Sequence, residues 1–135
     1  MDVTRITSAR LEDLLPEVRR PAEAALEALR RAGHDPRVYE TFRHPDRAAY
    51  LETRGVSKAG VRSYHVKRRA LDVVDNRRDS NGDRILWGAP TGKGNDQERA
   101  AMADQFFRAW GAAVKQNGGT WGGDWSFYDP AHAQW

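Results

Sequence analysis

The run Ala70-Leu71-Asp72-Val73-Val74-Asp75 constrains this chain more than any other stretch. Its aliphatic and β-branched content predicts a buried strand, so other elements must cover it. Asp72 breaks the run. A carboxylate buried there costs several kcal/mol unless a cation or hydrogen-bond donors compensate it. Arg68 or Arg69 would supply an ion pair. Alternate strand residues share a face, however, so Arg69 points the wrong way if it belongs to the same strand as Asp72. A metal ion is the other solution, with His65, on a loop entering the strand, as a companion ligand.

The rest of the chain supplies the cover. Leu11, Leu14, Leu15, Val18, Ala22, Ala25, Leu26 and Leu29 recur at helical spacing, interrupted by Pro16 and Pro21. Pro21 is best tolerated in the first turn of a second helix, which Gly33 ends. Arg37-Val38-Tyr39-Glu40-Thr41-Phe42 alternates and predicts a strand, and Pro45 opens a short helix to about Arg54. Asn81-Gly82 signals a hairpin before Arg84-Ile85-Leu86-Trp87. Asn95 with Glu98 forms a variant capping box for a long helix with Met102, Phe106, Trp110, Ala113 and Val114 on its apolar face. Helices and strands are mixed, and hairpin signals outnumber parallel crossovers. The fold class is α+β.

Composition narrows the chemistry. The chain has 135 residues and no cysteine, so any metal must be held by His, Asp or Glu. No apolar run approaches the roughly 18 residues of a membrane span. The net charge of +3 suits polyanions such as nucleic acid, an anionic cell wall or an acidic lipid face. The first residues lack the apolar region of a secretory signal. Of the four histidines, His34 sits in a helix-ending turn and His44 at a strand-to-helix junction. A catalytic zinc needs a third protein ligand, and His132 in Asp129-Pro130-Ala131-His132 is the candidate, with Asp129 near enough to reach a water. The acidic cluster from Asp75 to Asp83 reads as a solvated hairpin turn rather than a Ca²⁺ loop, because its Gly spacing fails the EF-hand pattern and two arginines interrupt it.

Ser63-x-His65-x₆-Asp72, Trp121-Gly122-Gly123-Asp124-Trp125 and Asp129-Pro130-Ala131-His132, in that order, resemble the D-alanyl-D-alanine carboxypeptidase family of zinc peptidases. The similarity is to the branch of phage endolysins that act as L-alanyl-D-glutamate peptidases. Tyr39-Glu40-Thr41-Phe42-Arg43 resembles that family's strand ending in an arginine. The resemblance implies a small antiparallel sheet packed with helices, with the zinc site at the sheet face as in hedgehog and D,D-peptidase domains. It implies Zn²⁺ on His65, Asp72 and His132, Asp129 as the catalytic carboxylate and Arg43 as the stabilising arginine. Ser63 then lies near substrate or metal. Beside the resemblance, Asp124 is read either as bracing a ligand histidine or as capping the turn, and Trp125 as walling the cleft.

The expected substrate is the peptidoglycan stem peptide, cleaved by an endopeptidase. A D,D-carboxypeptidase is the alternative, as is a catalytically weak cell-wall-binding module on the same fold. A monomer is expected, with one peptidase domain over residues 1–135, no separate wall-binding domain, no nucleic-acid partner and no membrane insertion. The missing signal suits a phage lysin released through a membrane lesion or carried on a virion. Arg68 stands where the family usually has Gly; if it points into the cleft it either obstructs it or, the favoured reading, binds a stem-peptide carboxylate through its guanidinium fork, and otherwise it is a solvated loop arginine.

Overall fold

The strand β2 (Ala70–Arg78) organises the molecule. A computed structural model describes residues 2–56 and 59–135. Antiparallel to β2 run β1 (Pro36–Glu40) on one side and both β3 (Arg84–Leu86) and β5 (His132–Gln134) as further partners. β4 (Thr120–Trp121) extends the sheet beyond β5, giving the order β1-β2-β5-β4 with β3 on β2. The α+β class with a small antiparallel sheet is thus the observed architecture. Leu71 and Val73 enter a core built with Leu26 and Leu29 of α1 (Pro16–Arg31) and, beyond the short α2 (Pro45–Thr53), with Phe106, Trp110 and Val114 of α3 (Asp96–Gln116). Asp72, between them, faces the other way.

Helix α1 differs from expectation. It is one helix begun by Pro16, and Pro21 lies inside it rather than opening a second helix. Pro21 removes the bond that would reach the carbonyl of Glu17. Glu17 is exposed, so water can satisfy that carbonyl, while Val18, Ala22, Ala25, Leu26 and Leu29 bury one continuous stripe. Packing overrides the local break.

Helix α3 starts at the expected place without the expected cap. Asn95 makes no capping bond with its side chain. Glu98 instead accepts from Ser80 N at 3.2 Å and Ser80 Oγ at 2.7 Å, tying the helix to the β2–β3 hairpin. The acidic cluster in that hairpin is not simply solvated, since Asp75 and Asp79 are buried. Asp75 receives the Arg77 guanidinium, and Asp79 receives Arg99 Nη1 at 2.6 Å and the backbone N–H groups of Asn81 and Asp83. Their oxygens serve cations and turns of the chain itself.

Two glycines set the turn before β5. A Cβ on Gly122 would lie 2.3 Å from the Asp129 carbonyl oxygen, and one on Gly123 would lie 2.1 Å from the Trp121 ring. Only glycine permits that approach. Trp110 Nε1 and Trp121 Nε1 then donate to the carbonyls of Ala131 and Pro130, at 3.0 and 2.7 Å, and fix the segment that delivers His132.

Candidate metal centre and cleft

Sheet register builds the centre. Asp72 pairs with Glu40 on β1 and with His132 on β5, which lines up three functional side chains across neighbouring strands. His65 comes from the loop before β2, where Ser63 Oγ accepts its backbone N–H at 3.2 Å. His65 Nδ1 donates to the Thr41 carbonyl at 2.9 Å, and His132 Nε2 meets Gln134 Oε1 at 2.8 Å. Those outer bonds orient each ring, and in the neutral tautomers they favour the inner nitrogens are lone pairs. His65 Nε2 and His132 Nδ1 each stand 3.3 Å from Asp72 Oδ1.

That oxygen is buried and makes no hydrogen bond. Two imidazole lone pairs and a carboxylate oxygen thus converge within 4.8 Å of one another. A cation satisfies all three at once. The donor set of two His nitrogens and one carboxylate suits zinc, with a position left open. In the metal-free site burial opposes ionisation of Asp72, but positive charge on the flanking imidazoles, His65 first, outweighs it and holds the carboxyl well below its usual range. The centre is ready to receive positive charge.

The three residues open onto a cleft of about 790 Å³ that Arg43, Ser63, Trp125 and Asp129 also line. Trp125 lies against His132, with ring centroids 5.0 Å apart. Burial, reinforced by the charge of Asp72, raises the Asp129 carboxyl above its ordinary value, although His132, His65 and Arg43 pull it down. Arg43 is buried and donates to Glu40 through Nε, at 2.9 Å, and through Nη2. Thr7 Oγ1 holds the other Glu40 oxygen at 2.7 Å.

Two expected roles fail. Asp124 braces no histidine; exposed, it pairs with Lys115 Nζ at 3.1 Å. Arg68 does not line the cleft: its Nη1 donates to the Asp13 carbonyl at 3.1 Å, and its guanidinium lies 4.1 Å from the Phe42 ring centroid. Its φ of +60° explains why glycine suits the position. Sequence reasoning gave Thr7, Thr41 and Gln134 no role in the site, and placed Glu40 only in the strand that ends at Arg43. Gln134 was accessible from the strand period, which places it on the face of His132. A backbone carbonyl such as Thr41's leaves no trace in side-chain chemistry.

A carboxylate between two braced histidines, beside a half-buried acid in an open cleft, is a His/Asp/His group of the kind that could hold a metal ion. Residues 57–135 match the D-alanyl-D-alanine carboxypeptidase family, and the chain belongs to it. It is 35% identical over 98 residues to the L-alanyl-D-glutamate peptidase of Listeria phage A118, covering 72% of this chain but 29% of that protein. The fold is similar to the crystal structure of the L-Ala D-Glu endopeptidase ChiX of Serratia marcescens. The TM-score is 0.58 at 24% identity, over 92% of this chain and 81% of that one.

Proposed function

We propose that this protein is a zinc-dependent peptidase that hydrolyses peptidoglycan stem peptides, at the L-alanyl-D-glutamate bond. The observation that carries the reading is Asp72 Oδ1, buried without a hydrogen bond between two imidazole nitrogens. His65 Nε2, Asp72 Oδ1 and His132 Nδ1 would hold the ion. When bound, zinc supplies Lewis acidity, polarising a carbonyl and making water acidic enough to ionise near neutral pH. The Asp129 carboxylate takes a proton from the attacking water and returns it to the leaving amine nitrogen. Arg43, kept in place by Glu40 and permanently cationic, stabilises the negative charge that develops on the carbonyl oxygen. Ser63 orders the His65 backbone at the cleft wall, and Trp125 shields the His132 side from water.

The bond assignment draws support from the names of the phage and Serratia proteins and from the open cleft, which suits an internal bond. The substrate places the protein's work at the cell wall. No helix among the described residues is long and apolar enough to cross a membrane. Mass spectrometry of digested peptidoglycan tests the reading, because the new termini identify the bond. New N-terminal glutamate is expected. Release of D-alanine alone would make it a D,D-carboxypeptidase, and intact peptides after incubation with zinc would leave only a wall-binding module.

A further inference from the structure

Tyr39 and Trp87 are 48% and 43% exposed, yet both line the cleft and their ring centroids lie 4.5 Å apart, edge to face. Neither belongs to the hydrophobic core. Backbone irregularities put them there. The β1 register shifts between Val38 and Glu40, so the consecutive residues Tyr39 and Glu40 both line the cleft instead of facing opposite ways. On the other side Trp87 sits between Leu86, with φ +50°, and Gly88, with φ +80°. A leucine is disfavoured in that conformation, so strain is retained at the residue that presents an exposed tryptophan. The turn also packs closely on the helix beneath it, since a Cβ on Gly88 would lie 2.5 Å from the Ala103 Cβ.

We propose that Tyr39 and Trp87 form a platform for a pyranose ring of the glycan strand that carries the stem peptide. The inference rests on the peptidase reading above and names the part of the substrate bound beside the scissile amide. A pyranose offers C–H groups on its face and hydroxyls at its rim, which suits an aromatic ring that is apolar in the middle and wet at the edge. The stem peptide offers no ring face of this kind; its amine-bearing chain could lie on one aromatic ring but would not fill two rings set edge to face. The first stem residue is joined directly to a sugar. With its amide at His65, Asp72 and His132, the sugar falls within a residue or two, about 3.3 Å per residue in extended chain. Holding the two rings against each other in advance limits the ordering cost on binding.

The test has a binding arm and a kinetic arm, both with the zinc-loaded protein. In the first, a peptide-free tetrasaccharide of alternating N-acetylglucosamine and N-acetylmuramic acid is titrated by NMR or calorimetry. Wild type is expected to bind it, Trp87→Ala to bind about tenfold more weakly, and Trp87→Tyr to stay within about threefold of wild type. In the second arm, Trp87→Ala should lower kcat/KM for a sugar-linked stem peptide about tenfold more than for the sugar-free peptide. Wild-type protein that ignores the tetrasaccharide, or an equal loss on both peptides, overturns the platform. Trp87-dependent binding in a protein that cleaves neither peptide upholds the platform and overturns the peptidase reading instead.

Discussion

Asp129 is held where its surroundings oppose ionisation, first through burial and then through the charge of Asp72. A carboxylate with a raised pKa is a better proton acceptor, provided it is ionised. The proposed reaction therefore loses rate as pH falls through that raised value, and kcat/KM should show an acid limb at higher pH than a free aspartate would give. Asp129→Asn keeps the shape but accepts no proton. The expected loss is about 10²–10⁴ in kcat, with zinc content retained, because Asp129 lies outside the ligand group. A variant that turns over at the wild-type rate would move the base elsewhere. Few candidates remain: Glu40 is occupied by Arg43 and Thr7, and Asp124 by Lys115.

At the scale of elements, the N-terminal segment is a strap under the site. His44 N donates to the Ile6 carbonyl, Ser8 N to Phe42, Thr41 N to Ser8, and Leu15 N to the Arg68 carbonyl, all at 2.6–3.1 Å. Arg68 closes the strap through Asp13 and Phe42. Arg68→Ala loses those contacts while keeping the unfavourable φ, whereas Arg68→Gly relieves the φ as it loses them. The Gly variant should therefore stay within about 1 kcal/mol of wild type, with the Ala variant less stable than Gly. Denaturant unfolding of both decides it, and an Ala variant as stable as Gly would show that backbone strain at residue 68 is negligible. Such couplings explain what the sequence concealed. The apolar run around Asp72 and the stripe of α3 announced the sheet and its covering helix, because burial leaves a periodic trace. Pro21 and Asn95 misled because each was judged by local preference, while the α1 stripe and the Ser80–Glu98 link are tertiary. Asp72, His65 and His132 were readable as a set because metal donors are few residue types, but the bracing by Thr41 and Gln134 depends on strand register.

For the whole molecule, the centre joins pieces distant in the chain: His65 from a loop, Asp72 from the middle strand and His132 from the last strand. An ion bound by all three binds the folded chain and not the unfolded one, so on the proposed reading zinc is expected to stabilise the fold. At free zinc a thousandfold above Kd the gain is about 4.1 kcal/mol, a Tm rise on the order of 10 °C. The pH dependence follows from His65. Burial opposes its protonation, but Asp72 and Glu40 outweigh that and raise its pKa above the ordinary value. In the metal-free protein, protonated His65 adds stability that is fully present below about 6.5 and is lost as pH rises through the folded value. Zinc needs the neutral ring, so its increment grows over that same rise in pH and shrinks as the ring protonates. Thermal unfolding with zinc and with a chelator, at pH 8 and near pH 5.5, should show the larger separation at pH 8. Asp72→Asn, which keeps the size of the side chain and removes its charge, should lose most of the separation at both. A wild-type Tm indifferent to the chelator, or an Asn variant with the full shift, would remove the ion from these three residues.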